Sequence, residues 1–126
     1  MIVRSLKEIE NTERDVNWGQ GMSHRLLLER DGMGFALTVT EIPAGVDITI
    51  EYRHHLEACY CYAGSGEISD MEGNSWVIEP GTVYALDQHD KHRLRAFTDL
   101  RLVSVFNPPI RGDECHNLDG DDTSSY

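Results

Sequence analysis

Beyond residue 23 the chain never keeps one hydrophobic period for long, and that punctuation limits its fold more than any other feature. Short stretches of apolar–polar alternation are broken at close intervals by R-D-G-M-G, I-P-A-G-V, A-G-S-G, M-E-G-N, E-P-G and F-T-D, all with the residue chemistry of tight turns. Period-two alternation marks half-buried strands and predicts nine of them, at 24–29, 34–41, 47–52, 57–62, 66–70, 75–78, 82–86, 92–97 and 101–106. So many short strands with so little helix predict an all-β sandwich or barrel. Residues 5–15 predict one amphipathic turn or short helix, with Leu6 and Ile9 on one side. Asn107-Pro108-Pro109 ends the last strand, and the closing D-G-D-D-T-S-S-Y carries little apolar area to offset its own ordering. At 126 residues the expectation is a single domain over 1–126, divided into an N-terminal segment 1–22, a barrel 23–106, a candidate lid 107–118 and a mobile acidic tail 119–126.

Alternation also sorts side chains by face. Leu102, Ser104 and Phe106 share one side of the last strand, and His92, Leu94 and Ala96 oppose Arg93, Arg95 and Phe97. Two arginines do not face the interior of a small barrel, so His92 and Leu94 are predicted to point inward. Cys59 and Cys61, spaced C-x-C rather than C-x-x-C, are predicted to be buried thiols on one face, with Tyr60 and Tyr62 on the other; Cys115 makes the count odd. Glu57 shares the inward face, where an unpaired carboxylate would cost several kcal/mol or take up a proton unless a cation sits beside it. His24, His54 and His89 read as surface or turn residues.

Charge excludes some partners. Eleven Lys and Arg against 22 Asp and Glu leave a formal charge of -11, which repels phosphate backbones and anionic lipid, so neither nucleic acid nor membrane is expected. Nothing approaches the roughly 20 apolar residues of a membrane helix, and no signal-peptide segment follows Met1, so a cytoplasmic location is expected.

The densest stretch is R-H-H-L-E-A-C-Y-C-Y-A-G-S-G-E-I at 53–68. Within it, Glu57, Gly64 and Gly66 form E-x6-G-x-G, which resembles the second half of the first cupin motif. Gly81, Asp87, His89 and His92 reproduce the spacing of the second, G-x5-P-x-G-x2-H, with Asp87 and His89 replacing its Pro and second Gly. The resemblance implies a cupin barrel, a double-stranded β-helix of jelly-roll type. The two histidines that usually precede the glutamate are missing: Ile50, Glu51, Tyr52 and Arg53 hold their places, and His54-His55 lies too close to Glu57. A three-His-one-Glu site is therefore not available, and Tyr84 is the inward candidate for a further ligand.

Taken end to end, the chain resembles the ectoine synthases. The likeness rests on M-I-V-R at 1–4, D-G-M-G-F at 31–35, H-L-E-A at 55–58, P-G at 80–81, Y-A-L-D-x-H-D-x-H at 84–92, V-F-N-P-P at 105–109 and G-x-E-x-H at 112–116. It implies an iron-dependent cupin that closes N-γ-acetyl-L-2,4-diaminobutyrate into ectoine with loss of water. It further implies Fe(II) held by Glu57, Tyr84 and His92, although Zn(II) would bind the same donors. The implied substrate pocket comprises Arg25, Thr40, Tyr52, His55, Ser104, Phe106, Glu114 and His116, with Glu114, His116 and Tyr52 in catalysis and the tail folded over the barrel mouth. On composition alone, R-G-D-E-C-H-N reads as a solvated acidic tail and Arg25 as a surface strand residue; the functional alternative for Arg25 is a clamp on a substrate carboxylate. A homodimer is implied too, with Tyr60, Tyr62 and Val103 as outward apolar surface. The family often carries Trp in G-W-x-S-x-R, whereas this chain reads Gly21-Met22-Ser23-His24-Arg25, with Trp18 nearby but out of register. Ser104 stands where some members carry Cys. The competing readings are a cupin dioxygenase, which would retain more histidines, and a non-catalytic ligand-binding cupin.

Overall fold

The structure is a computed structural model that describes residues 1–115. A short helix α1 (Leu6–Ile9) precedes β1 (Asp15–Asn17), β2 (Met22–Leu27), β3 (Ala36–Ile42), β4 (Asp47–Ile50), β5 (Leu56–Ala63), β6 (Gly66–Ser69), β7 (Ser75–Ile78), β8 (Val83–Leu86), β9 (His92–Ala96) and β10 (Leu100–Asn107). Strands β1-β2-β3-β10-β5-β8 form one sheet and β4-β9-β6-β7 a second. Every strand pairing is antiparallel. Each predicted strand is present, with ends displaced by two residues or fewer.

The inner faces hold the side chains that alternation sends there. His92, Leu94 and Ala96 of β9 and Leu102, Ser104 and Phe106 of β10 are buried, as are Cys59 and Cys61, while Tyr60 and Tyr62 are exposed. All three cysteines are free. The G-x-G after β5 is a crossing of backbones. At Gly64, with φ +86, a Cβ would stand 2.0 Å from the Asp99 carbonyl oxygen, and at Gly66 it would stand 2.4 Å from that of Arg95. Neither position accepts a side chain without moving its neighbour, and that close approach lets β6 turn into the second sheet.

The short helix expected near the N-terminus is present as a single turn. Helix is confined to Leu6–Ile9, where Ser5 accepts a hydrogen bond from the Glu8 N–H at 3.2 Å. The Thr12 hydroxyl then donates to the Ile9 carbonyl and Asn11 takes φ 61, so the helix stops and the chain pairs as β1. This three-residue strand changes the reading of His24. Expected at the surface, His24 is 6% exposed, with Nδ1 2.5 Å from Asp15 Oδ1 across β1–β2 and Nε2 3.4 Å from Glu41 Oε1. Its two carboxylate neighbours come from strands that flank it in the sheet, which local sequence does not reveal.

Asp31, in D-G-M-G-F, fastens the same region. Its carboxylate accepts from Arg14, Arg4 and the Leu28 N–H. Burial raises its pKa, but these partners outweigh that and bring it down to about 2.

Candidate active site between the sheets

Antiparallel register lines up one inward residue from each of five neighbouring strands. Arg25 on β2 lies opposite Thr38 on β3, Thr38 opposite Ser104 on β10, Ser104 opposite Cys59 on β5, and Cys59 opposite Tyr84 on β8. Side chains directly opposite one another are in reach, so the row is linked: Cys59 Sγ is 3.3 Å from Ser104 Oγ, and the Thr40 hydroxyl, one row on, is 3.2 Å from the same atom. Glu57 and Phe106 are paired in the adjoining inward row. From the facing sheet comes His92, opposite Ile50, and Tyr52 just past the end of β4 places its ring 5.9 Å from that of His92 and 5.6 Å from that of Phe106.

Between them lies a pocket of about 410 Å³, mouth included, whose walls include Thr40, Tyr52, Glu57, Tyr84, Ser104 and Phe106. A wider cleft of about 1070 Å³ opens along the edge between β7 and β8 and is lined by both His92 and Tyr84. The half-buried Tyr84 therefore borders both spaces.

The electrostatics of this group are those of donors without a counter-charge. Burial lifts the Glu57 carboxyl to about 7, only partly offset by hydrogen bonds from Cys59 and Tyr52. Burial, then the neighbouring Cys59 and Glu57, hold the Tyr84 phenol well above its ordinary value. Burial lowers His92, whose Nδ1–H donates to the Asp90 carbonyl at 2.9 Å and so leaves Nε2 with the free lone pair. A divalent cation favours carboxylate, phenolate and neutral imidazole together, and a backbone carbonyl on the far nitrogen is the usual way a ligating histidine is oriented. Among the described residues no three His, Cys, Asp or Glu side chains form a metal-binding cluster, so a metal held here would need the phenol of Tyr84 as well as Glu57 and His92. Glu57, Tyr84 and His92 fit a metal on these grounds.

A second cluster adjoins the first. Ile110 is fully buried and its carbonyl accepts from the Glu29 N–H. Four residues on, the Glu114 carboxylate accepts from the Arg111 and Gly112 N–H groups at 2.8 Å each. Arg25 Nη2 donates to the Glu114 carbonyl at 2.5 Å, and His55 Nε2 is 4.0 Å from Glu114 Oε2 while His55 Nδ1–H donates to the Pro108 carbonyl. Burial raises the Glu114 carboxyl, but the N–H donors and the Arg25 charge prevail and its pKa is lowered. His55 meets Phe106 edge-on at 6.2 Å, so this cluster adjoins the pocket.

A family model described as Ectoine synthase matches residues 1–125. The chain belongs to the ectoine synthase family. It is 49% identical over 126 residues to an L-ectoine synthase of Marinomonas sp. (strain MWYL1), covering 95% of each chain. It is 50% identical over 123 residues to that of Desulfatibacillum aliphaticivorans, again covering 95% of each. The crystal structure of ectoine synthase from P. lautus superposes with a TM-score of 0.85 at 50% identity, over 89% of this chain and 81% of that one. A predicted oxalate decarboxylase from Thermotoga maritima, at 23% identity, TM-score 0.68 and 86% and 99% coverage, shares the fold alone. The protein is an enzyme of ectoine synthesis, a lyase of cupin architecture that carries out a dehydrating cyclisation.

Of the residues expected in the pocket, Thr40, Tyr52, Ser104 and Phe106 line it with Glu57 and Tyr84, whereas Arg25, His55 and Glu114 make up the second cluster. Arg25 is wholly buried and engaged with Ser23 and Glu114. His116 and the tail expected over 119–126 lie outside the described residues. Trp18 and Ser23 also line the pocket, and sequence reasoning had assigned neither to it. Ser23 stands at inward spacing from Arg25, a signal that could have found it.

Proposed function

We propose that the protein is an Fe(II)-dependent L-ectoine synthase acting on N-γ-acetyl-L-2,4-diaminobutyrate, a reading carried by the inward group Glu57, Tyr84 and His92 beside a pocket between the sheets. Those three residues would hold the ion, whose chemistry when bound is to polarise the acetamide carbonyl as a Lewis acid. The protein's own groups do the rest. The α-amine nitrogen attacks the amide carbon, a C–N bond forms, and two of the amine's protons leave with the carbonyl oxygen as water. Thr40, Ser104 and the Tyr52 hydroxyl supply hydrogen bonds along the pocket wall, and Phe106 presses on the methylene chain to hold amine and carbonyl near the ~3 Å attack distance. Glu114, kept ionised by its N–H donors and Arg25, is suited to holding the ammonium form. Proton removal falls to Glu114 or His116. The segment over the mouth excludes water from the reacting centre. The compatible-solute role, the cytoplasm and a homodimeric state complete this reading.

An anaerobic assay tests it. Purified protein with Fe(II) and N-γ-acetyl-2,4-diaminobutyrate under nitrogen is expected to yield ectoine. Turnover that requires and consumes oxygen would make the protein a dioxygenase, and binding without turnover a ligand-binding cupin.

A further inference from the structure

Trp18 sits at the last residue before the β1–β2 turn, and nothing in the chemistry above uses it. Its N–H donates to the Gly21 carbonyl at 3.1 Å and the Asn17 side chain accepts from the Gly19 N–H at 2.9 Å, so the turn is fixed from both ends. That geometry sends the indole inward, where it is 4% exposed and lines the pocket. Position 21 makes room for it. A Cβ on Gly21 would stand 2.9 Å from Trp18 Nε1, 3.0 Å from Cζ2 and 2.1 Å from the Glu41 carbonyl oxygen. Any side chain at 21 would compete with the indole for the same space.

The pocket is polar at one end and apolar at the other. Register places Glu57 and Phe106 in one inward row and Thr40 with Leu102 two rows away, and beyond these Ile42 pairs with Leu100. Trp18, Ile42, Leu94 and Leu102 therefore form an apolar wall of the pocket that also holds Glu57 and Tyr84. A small zwitterion with an acetyl group has one wholly apolar tip, its methyl. With carboxylate and amine among the charged groups and the carbonyl oxygen toward Glu57 and Tyr84, the methyl is the part left to face the apolar wall, since the reverse pose would bury an unpaired charge.

We propose that Trp18 is the end stop of the substrate pocket and sets the length of acyl group the enzyme accepts. This rests on the function proposed above and adds the residue that makes the enzyme selective. A flat, rigid side chain held by a hydrogen-bonded turn on one side and a bare glycine on the other does not yield to an extra carbon. One methylene too many against such a wall costs about tenfold or more in kcat/KM.

The test uses the iron-loaded full chain, the acetyl substrate and its N-γ-propionyl homologue. The chain has two tryptophans, and Trp76 is 55% exposed, so Trp76→Phe leaves Trp18 as the sole tryptophan, excited selectively beyond the tyrosine band. Saturating that protein with substrate is expected to shift or quench its emission. Trp18→Ala is expected to raise KM for the acetyl substrate about tenfold with a smaller change in kcat, and to bring the acetyl-to-propionyl ratio of kcat/KM down about tenfold. Trp18→Phe should keep most of the selectivity. Unchanged Trp18 emission in a protein that turns over normally overturns the proposal, as does a folded Trp18→Ala enzyme with wild-type selectivity. A wild-type protein that does not cyclise the acetyl compound at all overturns the parent function, and the end stop with it.

Discussion

Glu57 carries the site's energetic tension, and the direction of its pKa shift gives a stability prediction. Its folded value near 7 lies above the ordinary 4.5, so between those values the folded state keeps a proton that the unfolded chain has lost. Metal-free protein should therefore lose stability as pH rises from about 4.5 to about 7, by a few kcal/mol, and then level off. Fe(II) or Zn(II) should abolish the slope, and Glu57→Gln should flatten it while leaving the protein unable to retain iron; thermal melts across pH with and without metal measure both. Tyr84→Phe removes a single oxygen. A folded protein with wild-type iron content and rate would show that the phenol only packs, whereas the expected outcome is loss of both. Glu57 and His92 were legible because motif spacing singles out an inward acid and an inward imidazole. His24 was not, because what buries it is a strand three residues long that carries no alternation to detect.

The elements place the candidate base cluster on a strap rather than in the barrel. Residues 110–114 hold on through one buried isoleucine, one backbone bond from Glu29 and the Glu114 carboxylate bound to its own loop. Truncation after Pro109 should leave a folded, iron-loaded and inactive barrel, destabilised by about 1.5–3 kcal/mol through the exposed Ile110 socket. Far-UV circular dichroism, metal content and rate together read this out, and an active truncated enzyme would return the base to the barrel. Composition pictured an acidic solvated tail there, whereas the G-x-E-x-H resemblance implied a segment folded back on the barrel; Ile110 and Glu114 are buried. The strap's attachment depends on Arg25, which reaches Glu114 from a strand 89 positions away, a distance over which no local pattern speaks.

At the scale of the whole molecule, the strand count and inward faces followed from turn chemistry and alternation, but the division into a six-stranded and a four-stranded sheet did not. Alternation says which residues face inward, not which strand lies beside which, and the order β3-β10-β5 joins distant parts of the chain. The outer surface leaves Tyr60, Tyr62, Trp76, Val77 and Val83 exposed, apolar area that a partner copy could cover. Sedimentation at micromolar concentration is expected to show a species of twice the 14.3 kDa chain, and a monomer alone would argue against the dimer. The row from Arg25 through Thr38, Ser104 and Cys59 to Tyr84 draws one residue from each of five strands, and the bonds around it join Thr40 to Ser104 and Cys59 to Ser104 across 64 and 45 positions. The whole row exists only once strands drawn from Arg25 to Ser104 have come together. Maturation of the catalyst and closure of the backbone are consequently one event, and a newly made chain passes from inert to competent with no working stage between.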